Sequence, residues 1–535
     1  MKFKTLCAMF DCSRNAVMTV EAVKKMIALV AKMGYNAAML YTEDTFEIEG
    51  YPFFGYLRGR YTGDELREID CYAASLGVEM IPCIQALGHL QTTLRWEHLP
   101  RDTKDILLTD DERTYEFIDR AFATMSECFA SRRIHIGFDE AADLGLGEHL
   151  KRHGYEPTMP LIRRHLARVN KIAKKYGYTP LIWSDMFFLS WNDGNYWLNE
   201  KKTVPDDVIA SVPEGVRPVY WDYYSLDSKR YDAMLYNHRQ ISDEPWFAGG
   251  IWSWRGVIPH NLFSVNSMTA ALDACEANKI ENVIMALWGD DGANCSHFSQ
   301  LTALYHIAKY AHGVRDTEEI KRGFEEEFGI SYDEYNAIDL PNQPGSPELG
   351  THTKNPSKYM FYSDYFNGHN DFSVCEEDAG NYKLYAERLR GVASRIPDYG
   401  YVFETAAALS EVLYYKYALG VRTRRAYRSG DKDELRRLAI EDYTRLEELI
   451  PIYHEALARQ WYKENKPTGF DVQELRIGGV LLRTTTCKRR ILDYTAGLIE
   501  SIPELEEEIL PRGKVGESVV QKGEGMITIH VYQMV

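Results

Sequence analysis

Between Thr5 and about Gly313, short apolar runs alternate with stretches whose hydrophobic residues recur at helical spacing. The runs Thr5–Phe10, Asn36–Tyr41, Val78–Ile84, Arg133–Phe138, Pro180–Ser184, Pro218–Asp222, Phe247–Trp252 and Val283–Trp288 predict eight strands. Behind the first, Val23, Met26, Ile27 and Val30 form one helical stripe with lysines opposite; behind the fourth, Ile162, Leu166, Val169 and Ala173 form another. Eight such pairs are what an α/β chain needs to close a (β/α)8 TIM barrel. An open doubly wound sheet uses the same alternation, but no Gly-rich phosphate loop follows the first strand.

Past Gly313 the alternation stops. Asp316–Phe328 reads as a helix, and Pro341–Pro356, with four prolines and two glycines, as a loop. Val402, Ala406, Leu409 and Leu413 make one helical stripe, and Leu435, Leu438, Leu446 and Leu449 a second; about 470–510 also looks helical. Met526-Ile527-Thr528-Ile529-His530-Val531 alternates like a strand. The pattern divides the chain into a catalytic barrel over 1–313 and a mostly α-helical C-terminal domain over 314–535.

Composition narrows the function. A chain of 535 residues, 45% hydrophobic and 26% charged, is globular material with room for two domains, and no stretch approaches a membrane-spanning length. The opening Met1-Lys2-Phe3-Lys4 mimics a secretory leader, but its apolar run is short and meets Asp11, so it reads as the first strand. Nine scattered cysteines without metal-type spacing fit a reduced, cytoplasmic protein. The net charge of −17 argues against a nucleic-acid ligand. No cofactor, metal or membrane partner is expected, and the helical region suggests a homodimer.

Chemistry collects where the strands end. Asp11 and Arg14 follow the first, Glu43 and Asp44 the second, Gln85 and His89 the third. The fourth carries His135 and ends in Asp139-Glu140; Trp183 and Asp185 end the fifth, and Trp221, Asp222, Tyr223 and Tyr224 the sixth. Trp252 and Trp254 follow the seventh, and Trp288-Gly289-Asp290-Asp291 closes the eighth. Repetition around eight strands builds one ring of acids, Arg, His and Trp facing a common cavity. Adjacent carboxylates in a half-buried pocket resist double ionisation, so one pKa should rise and supply a proton donor. Taken alone, Asp139 and Glu140 read more readily as solvated caps of the following helix, and it is the ring of strand-end residues around them that favours catalysis.

His135-Ile136-Gly137-Phe138-Asp139-Glu140 matches the His-x-Gly-x-Asp-Glu signature of glycoside hydrolase family 20, the exo-acting β-N-acetylhexosaminidases. Asp11-x-x-Arg14 resembles that family's sugar-gripping arginine, Gly88-His89 fits after strand three, and Ala286-Leu287-Trp288-Gly289-Asp290 resembles its Trp-x-acid closing motif. The matching pieces run in the family's order over about 5–313. Two departures stand out: strand one begins the chain with no α/β domain ahead of it, and Asp290-Asp291 replace the closing glutamate. With its helical C-terminal domain and Asn355-Pro356-Ser357-Lys358-Tyr359, the chain looks like the compact bacterial members.

The resemblance implies substrate-assisted hydrolysis, in which the sugar's own 2-acetamido oxygen attacks the anomeric carbon. It gives Glu140 the acid/base role, Asp139 the acetamido N–H, and Tyr223 or Tyr224 the acetamido oxygen. Arg14 would clamp ring hydroxyls, or else form a structural pair with Asp11 or Asp44. Asp290 or Asp291 would grip the sugar, and Trp183, Trp252 and Trp288 would line it or else belong to the core. His135 and His89 read either as core histidines or as supports of the acid pair. Rival readings are a retaining glycosidase using Asp185 or Asp290 as nucleophile, a metal-dependent hydrolase, which the absence of any His-x-His disfavours, and a catalytically silent sugar-binding protein.

Overall fold

A computed structural model describes residues 3–290, 292–345 and 354–510, and these pack as two compact units. The first comprises the chain up to Ile251 with Ser264–Trp288 and Ala303–Ile320; the second comprises Trp252–Phe263, Gly289–Thr302 and the chain from Lys321. The strand-like run at Met526–Val531, much of the loop before Pro356, and Asp291 lie outside the described residues.

Eight parallel strands order the first unit: β1 (Thr5–Asp11), β2 (Ala37–Tyr41), β3 (Glu79–Met80), β4 (Arg133–His135), β5 (Thr179–Trp183), β6 (Arg217–Trp221), β7 (Trp246–Gly250) and β8 (Asn282–Leu287). Their spatial order is β3-β2-β1-β8-β7-β6-β5-β4. The two edges meet where Cys83 bridges His135: His135 N–H donates to Pro82 and Ile84 N–H to His135, at 2.9 and 2.8 Å, which closes the ring. The chain is therefore a (β/α)8 barrel over its first part, as its periodicity predicts.

β3 and β4 are shorter than their apolar runs, for two backbone reasons. Pro82 has no N–H to continue the ladder of β3. Beyond β4, Gly137 and Phe138 take φ of 73° and 80°, which turns the chain out of extended geometry just before the acid pair.

The helices behind the strands follow from their caps and stripes. Val20–Met33 starts at Thr19, whose hydroxyl accepts from Ala22 N–H at 3.2 Å, and stops at Gly34; Val23, Met26, Ile27 and Val30 are buried. Thr158–Lys175 buries Ile162, Leu166, Val169 and Ala173.

The second unit is helical. Ala379–Ala393 and Gly400–Lys416 pack on each other, and Gly400–Lys416 also packs on Thr444–Glu464, with Asp471–Thr495 against the last. Val402, Ala406, Leu409 and Leu413 are buried as their spacing predicts. The second leucine stripe is divided: Lys432–Leu438 passes through a π turn at Ala439–Tyr443 into Thr444–Glu464, which shifts the phase and keeps all four leucines inside. The expected helix over 470–510 stops at Thr495, with Gly497 at φ 75°, and resumes only as Pro503–Glu506.

Candidate active site

The ends of β1 to β6 bring together most of the candidate residues. Asp139 and Glu140 are adjacent in sequence but not in environment: the Asp139 side chain is 13% exposed and the Glu140 side chain 63%. The turn that separates them is made by Gly137, Phe138 and Glu140, all with positive φ. For Phe138, a bulky residue, this conformation costs about 1–3 kcal/mol and persists only where the surroundings impose it. Gly137 is required by packing as well, because a Cβ there would fall on the Gln85 amide.

Asp139 is held by His89. The imidazole Nε2 lies 3.1 Å from Asp139 Oδ2 and 3.6 Å from Glu140 Oε2, and its Nδ1 lies 3.8 Å from Glu43 Oε1. Burial alone would drive the His89 pKa down, but the charge and hydrogen bond of Asp139 and the charge of Glu43 outweigh it and raise the value to about 10. Burial likewise opposes ionisation of Asp139, and the protonated His89 overcomes it, holding that carboxyl below its ordinary range. Gln85 Nε2 donates to Asp139 Oδ1 at 3.4 Å and also bonds the Tyr41 hydroxyl. His89 and Asp139 are thus an imidazolium–carboxylate pair at neutral pH.

Arg14 lies 3.5 Å from both Asp11 and Glu43 and remains 24% exposed. Both readings of this arginine therefore share one geometry: it is paired with two carboxylates, yet its side chain stays partly exposed. Glu43 is buried, and burial, only partly offset by Arg14 and His89, pushes its pKa up to about 7. Asp185 is also buried; Oδ2 accepts from the backbone N–H of Glu140 at 2.8 Å and Oδ1 from the Trp221 indole at 3.4 Å. Burial, with the charge of Asp139 next, raises its pKa to about 7. Sequence reasoning places Glu43 and Gln85 in the strand-end ring without assigning either a role, and Tyr41 receives none.

The aromatic residues divide clearly. Tyr223 is buried and stacks on Trp221 at 5.5 Å and 21°, and the Trp288 indole donates to its hydroxyl. Burial first, and the charges of Tyr224 and Asp139 after it, hold its proton well above the usual tyrosine range. Tyr224 points outward, 39% exposed, edge-on to Trp197. Trp183 and Trp288 are buried with ring centres 6.1 Å apart, and Trp288 meets Tyr41 edge-on at 4.6 Å.

His135 is buried; its Nδ1 accepts from Gly137 N–H at 3.1 Å, so its hydrogen bond supports the turn beneath the acid pair rather than the carboxylates. Burial drives its pKa to about 3, and it is neutral. His135 Nε2, Trp183 Nε1 and Gln85 Oε1 are buried polar atoms without a hydrogen-bond partner among the described residues. Such atoms ordinarily find theirs in a ligand or ordered water.

Trp252 and Asp290 belong to the second unit. There Trp252 stacks on Trp254 at 4.2 Å and meets Phe263 edge-on, while Asp290 is exposed. Asp291 lies outside the described residues.

Among known proteins, residues 6–212 match the model of the glycosyl hydrolase family 20 catalytic domain, and residues 333–522 that of the glycoside hydrolase 20C C-terminal domain. Human hexosaminidase D is 27% identical over 224 residues, which cover 39% of this chain and 43% of the relative. Its bovine counterpart is 23% identical over 306 residues, 53% of this chain and 83% of the relative. The chain thus spans less than half the length of the human relative. A family 20 exo-β-N-acetylglucosaminidase of Vibrio harveyi superposes with a TM-score of 0.47 at 17% identity, covering 63% of this chain and 58% of that one. With both parts of the chain matched by models of one family, the protein belongs to glycoside hydrolase family 20.

Proposed function

We propose that the chain is a β-N-acetylhexosaminidase that releases terminal non-reducing β-linked N-acetylglucosamine or N-acetylgalactosamine, with the substrate's 2-acetamido oxygen as nucleophile. The observation that carries this reading is the division of labour between the two carboxylates. Asp139 is largely buried and held ionised by His89, the state needed to accept the acetamido N–H and to stabilise the positive charge of an oxazolinium intermediate. Glu140 is the exposed member, able to protonate the leaving oxygen and then, as carboxylate, to activate water.

Tyr223 suits the third role better than Tyr224. Its hydroxyl accepts from Trp288, and its proton would be donated to the acetamido oxygen to aim it at the anomeric carbon. Arg14 is the clamp for ring hydroxyls. The rival with an enzyme nucleophile finds little support at Asp185: that carboxyl is buried, engaged by the Glu140 backbone and the Trp221 indole, and pushed toward its neutral form.

The test compares 4-nitrophenyl N-acetyl-β-glucosaminide with the matched β-glucoside. Hydrolysis of the acetamido sugar alone, lost in Glu140→Gln, is the expected outcome. Equal hydrolysis of the plain glucoside would mean that Asp139 does not act through the acetamido group.

A further inference from the structure

The loops that begin with Glu43 and with His89 meet again farther out, in a cluster of rings that face solvent. Phe53 and Tyr56 are 42% and 43% exposed on the first loop, and Trp96 is 40% exposed on the second. Phe53 and Trp96 stack at 6.0 Å and 25°, and Tyr56 stands edge-on to Trp96 at 5.3 Å and 80°. Together they form a platform in which Phe53 and Trp96 are near-parallel and Tyr56 stands across them.

The platform is anchored, and its anchors are neighbours of the active-site residues. Phe54, between the two exposed rings of its loop, turns inward and packs on Phe46 and Phe117 at 5.0 and 5.3 Å. Gly55, at φ 65°, lies so close to the Asp44 carbonyl that a Cβ would not fit. Arg58 bonds Asp44 at 3.2 Å and the Ser13 carbonyl, so it ties the loop to the residues next to Glu43 and Arg14. Arg101 holds the other loop through Glu97 at 3.2 Å and the Leu94 carbonyl at 3.5 Å. Exposed aromatic rings on anchored loops that start at the active-site residues mark a binding surface.

We infer that Phe53, Tyr56 and Trp96 bind the sugar on the leaving-group side of the scissile bond, and so select β-N-acetylhexosaminides of oligosaccharides over those with small aglycones. The direction follows from Glu140, the exposed acid that would meet the leaving oxygen, which lies 3.6 Å from His89 at the root of the loop carrying Trp96. In an exo-acting enzyme only the aglycone extends beyond the pocket. The apolar face of a pyranose matches an aromatic face, while a net charge of −17 disfavours a phosphate-bearing ligand. This inference rests on the glycosidase reading above.

The experiment measures kcat/KM for triacetylchitotriose and for methyl N-acetyl-β-glucosaminide, in the wild type, Trp96→Ala and Tyr56→Ala. The ratio of the two values should fall roughly tenfold in Trp96→Ala and less in Tyr56→Ala, the size expected for losing one ring contact, with the change in KM rather than kcat. An unchanged ratio would overturn the inference; so would a variant that alters only the sedimentation coefficient, since the rings would then serve a protein contact. A wild type that cleaves neither compound would defeat the glycosidase reading instead. Calorimetric titration with the same trisaccharide, with and without Trp96→Ala in a Glu140→Gln background that does not turn it over, then decides the platform: binding about tenfold weaker in Trp96→Ala supports it, and equal binding overturns it.

Discussion

At the strand ends, charged atoms of Arg14, Glu43, His89 and Asp139 lie 3.1 to 3.8 Å apart, and in the helical unit Asp364, Lys416, Arg424 and Arg483 are tied to one another and to backbone carbonyls. Arg483 grips Asp364 with two bonds of 2.6 and 3.0 Å, which bring that carboxyl, against its burial, down to about 2. Arg424 donates to the carbonyls of Leu505 at 3.1 Å, Glu504 at 3.2 Å and Glu507 at 2.7 Å, and also to that of Phe366; Lys416 donates to Ser363. Arg424 and Lys416 are both buried, whereas Arg14 and His89 keep 24% and 19% of their side chains exposed. Lys416 and the terminal nitrogens of Arg424 donate to backbone carbonyls and Arg483 to Asp364, so this cluster staples the chain. The strand-end cluster keeps Arg14 and His89 partly exposed, as a site that must take up a substrate does.

The comparison predicts different kinds of damage. Glu140→Gln should lower kcat by about 10³-fold on a substrate with a sugar leaving group, since a proton donor contributes 10²–10⁴-fold, while the exposed side chain leaves the melting temperature almost unmoved. Arg424→Met should do the reverse: unfolding free energy falls by roughly 3 kcal/mol as buried carbonyls lose a charged donor, and kcat per folded molecule is kept. A large kcat loss without loss of stability in Arg424→Met would erase the distinction.

Asp139→Asn should cost about 10²-fold in kcat, in line with removal of one preorganised electrostatic partner, with a smaller change in KM. The remaining effect is on stability against pH. His89 has its pKa raised from 6.5 to about 10 by folding, so it stabilises fully below about 6.5, and that contribution is lost as pH rises toward 10. Urea unfolding of the wild type and His89→Gln between pH 6 and 10 should show a gap of a few kcal/mol at pH 6 that closes at the alkaline end. A gap that widens with pH would mean His89 is not held protonated by Asp139.

Much of the fold is legible in the sequence because periodicity reports burial directly. All eight strands lie where the apolar runs place them, and the acid pair stands at the end of the fourth. Strand ends are less legible: Pro82 and the left-handed Gly137-Phe138 cut two strands short through backbone geometry that side-chain patterning does not encode. The unequal exposure of Asp139 and Glu140, and the inward Tyr223 beside an outward Tyr224, depend on single backbone angles for the same reason. Glu43 and Gln85 carry a readable signal, since polar residues at consecutive strand ends are what marks the site. The platform of Phe53, Tyr56 and Trp96 has no periodic signature, because it joins two loops that are remote in sequence.

The most direct test of the central claim is the rate on two substrates that differ only at the sugar's C2, 4-nitrophenyl N-acetyl-β-glucosaminide and 4-nitrophenyl β-glucoside. If the acetamido group is the nucleophile and Asp139 its partner, the wild type cleaves the first and not the second, and Asp139→Asn loses most of that activity. Comparable cleavage of both, insensitive to Asp139→Asn, would contradict the account.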